Sequence, residues 1–505
     1  MNQVNWWSRE ICPLPSTEGS LIKSSEDSWF TLTNFIPRLS FSERGKRKRK
    51  IVHNASTKRR KLTEKIVRTE KTRIYPTKKQ KEILRKSIGT CRFIYNKTIE
   101  LINKNWDEIK GLPKSERKYI KENPIVSLLT GKGSDFIKQK PWIKETPTPS
   151  VTNSIKDAFK ARKTCFSLLK QRIISKFELK FRKRKFGGYI TVDKKSIQKG
   201  GVFYQRTLGK IKIPNNNKRA RDLLNQYIGQ KVPKIEGKTK EEAKILANER
   251  RKQLCDCKII LDRIGRYWLH IPFKRCYPEN QRMVMMRKRY VALDPGVRTF
   301  QTYFSDSQTY GEIGKNDIQR IYRLCKHLDN LQSRMSKQRS KRKRRMKRAW
   351  LRLIQRIKNL VNEVHKKTAL FLTRNFQIIF LPKFETSNMT LGQNRNITSK
   401  TARALLTWAH YRFKTYLESV CTRTNTVLRE VTEEYTSKTC GKCGNIKNDL
   451  GGNKTYHCDL CGYECDRDIN AARNILIKYM NEKNLDPGFL SGVALNAFLL
   501  WKASV

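Results

Sequence analysis

The chain has 505 residues, enough for roughly three or four domains. Lys and Arg number 110 against 44 Asp and Glu, a net charge of +66, so a polyanion is the default partner. A membrane is the weaker choice: the longest apolar stretch, Phe489 to Trp501, is broken by Ser491, Gly492 and Asn496, and no secretory core precedes it.

Residues 1–64 are polar, with isolated aromatics such as Trp6, Trp7, Trp29 and Phe30, and predict a poorly ordered arm. Two basic clusters in it, Lys46–Lys50 and Lys58–Lys61, have the spacing of a bipartite nuclear localisation signal, or of an arm that simply touches nucleic acid. Lys65 to Tyr75 alternates as a strand. Thr77 then predicts an N-cap for an amphipathic helix from Lys78 to about Leu101, with Ile83, Leu84, Ile88, Phe93 and Ile94 on its core face. Further helical segments follow around 115–130 and 150–175, with basic residues interleaved among aromatics as on a nucleic-acid-facing surface.

From 176 to 290 short β segments take over, at 188–192, 201–205, 210–214 and 267–272, and predict a small antiparallel barrel. Residues 215–251 read as a charged, partly helical insertion. The stretch Tyr290–Phe304 is an apolar run ending in Asp294, broken by Pro295 and Gly296, then a second β-prone run. A carboxylate at the end of a buried strand is well placed to hold a metal, although Asp-Pro-Gly is also an ordinary turn. A basic helix follows: eight of the ten residues 339–348 are Lys or Arg, and an apolar seam runs from Trp350 to Val364. Phe376–Leu381 predicts a buried strand, and Ser399 an N-cap for a helix to about Cys421.

Cys440-Gly-Lys-Cys443 and Cys458-Asp-Leu-Cys461 are two Cys-x-x-Cys knuckles. Four thiolates at this spacing predict one tetrahedral Zn²⁺, structural because no coordination position stays open. His457 and Cys465 lie close enough in sequence to compete, with Cys461 the better fourth ligand. Thirteen Cys in all, four of them at metal spacing, suit a reducing compartment. Asp466 and Asp468 follow at the start of a helix, where capping alone would explain an acid.

Asp294 in "LDPG", the ribbon and "DRDINAARN" behind it together resemble the RuvC nuclease of transposon-encoded TnpB proteins, and most closely their eukaryotic and viral relatives, Fanzor, kin of type V CRISPR effectors. "KTRIYPTKKQKEILRKSIGTCRFIYN" at 71–96, "TARALLTWAHYRF" at 401–413 and "YTSKTCGKCG" at 435–444 extend the resemblance over roughly 65–480. It implies a multidomain α+β protein. A disordered basic arm (1–64) carries the nuclear localisation signal; a wedge-like β-barrel takes 65–76 and 176–289, and a helical recognition domain takes 77–175. An RNase H-like RuvC domain (290–435 and 465–483) is interrupted by the zinc ribbon (436–464), and a tail (484–505) follows.

The resemblance also implies three carboxylates around two Mg²⁺. Asp294 matches the first and Asp468 the third, with Asp466 the weaker candidate. The second acid departs from the TnpB pattern: a Glu should follow the buried strand seven positions before a Met, but Pro382 stands seven before Met389. Glu385 is three residues further on, where strand alternation would turn it to the other face. Fanzor proteins carry a displaced Glu before the first zinc knuckle, which assigns the role to Glu433, with Glu434 adjacent and outward and Glu385 the alternative.

The implied function is an RNA-guided DNA endonuclease: guide RNA pairs with double-stranded target DNA, and the protein reads a short flanking motif. Lys71, Arg73, Tyr75, Lys78, Gln80, Arg92 and Asn96, with Arg342, Arg344 and Arg345, are the candidate nucleic-acid contacts. The products would carry 5′-phosphate and 3′-hydroxyl ends, one protein copy would bind each RNA, and the protein would work in the nucleus. A nuclease-inactive RNA-guided regulator is the alternative, for which Pro382 is the one argument. A DNA transposase is weaker still, because no His-hydrophobe-His or tyrosine-nucleophile pattern is present.

Overall fold

The computed structural model describes residues 66–482, apart from 112, 114–115, 117, 132, 172–173, 228–253, 276–287, 391–396 and 452. The basic arm with its two localisation clusters, most of the charged insertion and the tail lie outside the described residues. The chain divides into two compact units, one over Thr63–Cys276 and one within Tyr277–Val505.

In the first unit the alternating run forms β1 (Ile66–Ile74), and Thr77 starts α1 (Lys78–Ile109). Thr77 and Gln80 form a reciprocal capping box: each side chain accepts the other's backbone N–H, at 3.3 and 3.0 Å. The helix runs two turns past the expected Leu101, because Ile102 and Ile109 continue its buried stripe. Helices α2 (Glu122–Thr130), α3 (Asp135–Gln139) and α4 (Thr148–Lys170) share with it a core of Ile94, Ile125, Leu129, Ile137 and Ile155.

The β segments are β2 (Gly188–Val192), β3 (Ile197–Gln198), β4 (Val202–Phe203) and β5 (Gly209–Lys210), then helix α5 (Lys218–Leu224), β6 (Cys257–Leu261) and β7 (Tyr267–Arg275). They build an antiparallel sheet of order β1-β7-β6-β2 and a small sheet β3-β4-β5 over one core that includes Ile74, Ile190, Phe203 and Leu269. The strand expected at 201–205 stops at Phe203, since Tyr204 takes a positive φ of 42°.

The second unit is built on a five-stranded mixed sheet. Its strands are β8 (Lys288–Pro295), β9 (Gln301–Ser305) and β10 (Tyr310–Ile313), followed by helices α6 (Asp317–Ser336) and α7 (Ser340–Asn375), then β11 (Phe376–Pro382). Helices α8 (Thr386–Thr390), α9 (Ser399–Trp408) and α10 (His410–Thr424) lead to β12 (Val427–Val431). A two-stranded ribbon of β13 (Thr455–His457) and β14 (Glu464–Asp466) feeds α11 (Arg467–Glu482). The sheet order is β10-β9-β8-β11-β12, with β8, β11 and β12 mutually parallel and β9 and β10 antiparallel at one edge.

Each face of the sheet is covered. Val291, Leu293, Ile379 and Leu381 pack with residues of α6, α7 and α10. Ala292, Phe380 and Val431 point the other way, onto Ile469, Ala472 and Leu476 of α11. The helix expected from Ser399 to Cys421 is two helices: Thr398, not Ser399, is the N-cap, accepting Thr401 N–H at 3.2 Å, and Ala409 breaks the run with φ 54° and ψ 54°.

Candidate active site

Parallel strands end at one edge, and β8, β11 and β12 bring their C-terminal ends together there. Such an edge is where mixed and parallel sheets place their ligands. Phe380 pairs with Ala292, so two residues on Pro382 comes level with Asp294; Pro382 in turn pairs with Val431. Side chains two apart share a face, so Asp294 lies on the Ala292 side, the side covered by α11. Glu433 lies two residues beyond Val431, on the same parity. Its carbonyl accepts both the hydroxyl (2.7 Å) and the N–H (3.3 Å) of Thr436, which fixes the turn into the ribbon. Asp468 sits in the first turn of α11.

Asp294 is the carboxylate on which the other two act electrostatically. Burial first, then the charges of Asp468 and Glu433, push Asp294 well above the usual carboxylate range, with Arg467 opposing. Burial also raises Glu433, and Glu434 adds to it; burial and then Asp466 raise Asp468. All three keep part of their surface open. Partly desolvated, mutually repelling carboxylates are the state that a divalent cation relieves. Among the described residues, the cysteines alone bring three or more ligand atoms within 4.8 Å of one another.

The other sequence candidates fall elsewhere. Glu385 is exposed and pairs with Lys383 at 2.7 Å. Glu434 points outward, its side chain 72% exposed, with Lys478 Nζ 3.8 Å away. Asp466 caps α11: its Oδ1 accepts the N–H of Asp468 at 2.9 Å and of Ile469 at 3.4 Å.

Two residues went unread in the sequence. Glu312, on β10, is fully buried, accepts the Thr299 hydroxyl at 3.0 Å and pairs with Lys315 and, at 2.9 Å, with Lys454. Burial would raise it, but the two lysines outweigh burial and hold it below the ordinary range. Lys454 reaches from the ribbon and also pairs with Asp466 Oδ2 at 3.1 Å. A lone Glu inside "TYGEIG" was the available signal: an acid in an apolar strand demands a buried partner.

The four cysteines converge as their spacing predicts. The Cys440–Cys461 and Cys443–Cys458 sulfurs lie 3.7 and 3.6 Å apart. Tetrahedral Zn²⁺ with Zn–S near 2.3 Å needs S···S of about 3.8 Å, so these residues fit the ion. The knuckles repeat one geometry: Gly444 N–H to Cys440 O and Gly462 N–H to Cys458 O, both 3.0 Å, with φ of 81° and 67° at the two glycines. His457 and Cys465 stand outside the four.

The "DINAARN" asparagines fasten α11 to this ribbon. Asn470 accepts Gly441 N–H at 3.0 Å and donates to Thr439 O at 2.7 Å. Asn474 donates to Thr436 O at 2.9 Å and to Thr439 O at 2.7 Å. A Cβ on Gly441 would meet Asn470 Oδ1 at 2.7 Å, which explains the glycine inside the knuckle.

Of the predicted nucleic-acid contacts, Arg342, Arg344 and Arg345 are exposed in the first turns of α7. Lys71 lies over Trp268 (4.4 Å) and Arg73 over Tyr75 (5.1 Å), and Lys78 is exposed. Arg92 is half-buried. Gln80 and Asn96 are occupied internally. Gln80 Nε2 donates to Leu208 O and Lys210 O at 2.7 and 2.9 Å, and the Asn96 amide clamps the backbone of Arg182 at 3.1 and 2.8 Å.

Comparison with known proteins finds similarity over most of the chain. Residues 410–475 match the model described as "Cas12f1-like, TNB domain", and 68–111, which fold as β1 and α1, match "Helix-turn-helix domain". The TnpB-like protein L79 of Acanthamoeba polyphaga mimivirus is 28% identical over 84% of this chain and 76% of its own. A protein of Paramecium bursaria Chlorella virus 1 with the provisional name transposase A625R is 29% identical over 83% and 88%. InsQ of Escherichia coli (strain K12), provisionally named an RNA-guided DNA endonuclease, is 24% identical over 80% and 90%. A solved Cas12f1–sgRNA–target DNA complex overlaps 81% of this chain at 13% identity and a TM-score of 0.44, too loose a superposition to bear on fold or function.

Proposed function

The chain belongs with the TnpB-like transposases, and from that premise we propose that it is an RNA-guided DNA endonuclease of the Fanzor kind. The observation that supports the reading is that Asp468 and Glu433 both act on Asp294, which ends β8 beside the C-terminal ends of β11 and β12. A five-stranded mixed sheet with acids at that edge suits an RNase H-like nuclease, and the first unit's two sheets suit a wedge-like barrel.

Two Mg²⁺ held by these carboxylates would activate water and neutralise the leaving oxygen. The chain's own share is geometric. β8 presents Asp294 rigidly from the sheet, Thr436 fixes Glu433 through its carbonyl, and Asp466 caps the helix that carries Asp468. Sequence would be read by guide pairing, and the net charge of +66 would hold guide RNA and target DNA by their phosphates. The nucleus is the proposed compartment and one protein copy per RNA the proposed stoichiometry.

The test is to co-express the protein with its element's RNA, supply Mg²⁺ and target DNA, and map the ends. Cutting that yields 5′-phosphates, lost in Asp294→Asn and Glu433→Gln but kept in Glu385→Gln, is expected. Wild-type binding without cutting would leave the nuclease-inactive regulator standing. Loss of cutting in Glu385→Gln alone would move the second acid.

A further inference from the structure

Asp466 and Asp468 stand two residues apart at one helix start, and both influence Asp294 electrostatically. Resting on the nuclease reading, we propose that Lys454, braced by buried Glu312, is the positioning residue that decides between them. It commits Asp466 to capping and leaves Asp468 as the metal-facing acid.

Lys454 grips the start of α11 twice. Its carbonyl accepts Arg467 N–H at 2.7 Å, and its ammonium lies 3.1 Å from Asp466 Oδ2. The ammonium is itself fixed by Glu312 Oε1 at 2.9 Å. Glu312 is fully buried on the central sheet and is held in turn by Thr299 and Lys315. A chain of contacts therefore runs from β10 through the ribbon to the cap. With Oδ2 paired to Lys454 and Oδ1 spent on two backbone N–H groups, both carboxylate oxygens of Asp466 are already engaged. Among the described residues Asp468 forms no ion pair with a lysine; Arg467 Nε lies 4.0 Å away, and the charge of Lys454 acts on it only from a longer range.

Without the ammonium, Asp466 would be a charged acid beside three others. It would be free to turn into the metal site, and the helix start would lose one of the two grips of Lys454. Oriented groups behind metal ligands are commonly worth about 10–100-fold in affinity or activity.

The experiment uses full-length, zinc-loaded protein with bound guide RNA. Wild type, Lys454→Met, Lys454→Arg and Glu312→Gln are compared for cleavage rate against Mg²⁺ concentration, and for Mn²⁺ binding followed by the free-ion EPR signal. Expected for Lys454→Met are a roughly ten-fold or greater loss of cleavage rate, an altered Mn²⁺ isotherm and unchanged RNA binding. Lys454→Arg should restore most of both readouts, and Glu312→Gln should shift them in the same direction as Lys454→Met. Cleavage and Mn²⁺ binding by Lys454→Met within about two-fold of wild type would overturn the inference. If Lys454→Met loses zinc or fails to fold, Glu312→Gln decides alone, and wild-type values in it overturn the inference. If wild type itself does not cut, the nuclease reading fails, and the Mn²⁺ isotherms still report whether Lys454 orders the acids.

Discussion

Replacing Asn474 by Asp changes one atom of a buried side chain and reverses its hydrogen-bonding sense. The Asn474 amide gives two hydrogens, to Thr436 O at 2.9 Å and to Thr439 O at 2.7 Å; both partners are carbonyls, so only NH₂ fits there. Losing two buried hydrogen bonds costs about 2 kcal/mol, the loss expected for Asn474→Ala. An ionised Asp adds an unpaired charge facing two carbonyl oxygens, for a total of roughly 3–5 kcal/mol. The Asp can escape by keeping its proton, since O–H donates one bond.

Its folded pKa is therefore raised. The destabilisation is smallest below the ordinary carboxylate range and grows as pH rises through the raised value. Thermal melts and zinc release to a chromophoric chelator at about pH 5 and about pH 8, each referenced to wild type, read this directly. In a unit of this size a 1 kcal/mol change is worth about 2–4 °C, so Asn474→Asp should fall near 10 °C below wild type at the higher pH. It should approach or pass Asn474→Ala at the lower one. An Asn474→Asp deficit equal to that of Asn474→Ala at both pH values would refute the reasoning.

Other outcomes follow from the same geometry. Cys443→Ser, or stripping zinc with a chelator that spares Mg²⁺, should abolish cutting, because the ribbon orders both the Glu433 turn and α11; cutting by zinc-free protein would refute this. In zinc-loaded protein without added Mg²⁺, the raised Asp294, Glu433 and Asp468 contribute stability below the ordinary carboxylate range, and it is lost as pH rises. Asp294→Asn should then melt above wild type by an amount that widens with pH and shrinks with Mg²⁺; a pH-independent gap would count against the cluster. Arg342, Arg344 and Arg345 together replaced by Ala should lower the slope of log affinity for RNA against log salt by about 2–3, measured by filter binding. An unchanged slope would remove α7 from the interface.

Much of the second unit was legible from local chemistry. Asp294, the knuckles and the helix behind them are contiguous motifs, and in the first unit Thr77 announced its N-cap though not the Gln80 half of the box. What escaped was set by pairings distant in sequence. Glu312 and Lys454 are 142 residues apart, and neither gains meaning until β10 and the ribbon meet. Gln80 and Asn96 looked like surface polar groups on a basic helix, but their amides are consumed by backbone at 208–210 and 182. The αL residue Ala409 split a continuous helical pattern, and an alanine there gives no signal because its Cβ carries the usual left-handed penalty. Parity along β11 does not reach Glu385, because the strand ends at Pro382; the residue is exposed and paired with Lys383.

The position of Glu433 reaches beyond the count of acids. It stands seven residues before Cys440, and Asp468 stands seven after Cys461. On the proposed reading, two of the three acids would emerge from the two ends of one small cassette tied by the four cysteines, while the sheet would contribute only Asp294. A site with its second acid on β11 would inherit its spacing from strand pairing. Here the gap between Glu433 and Asp468 is ruled by a cysteine cluster, so oxidation or metal exchange at the sulfurs would be read out directly as a change in carboxylate geometry.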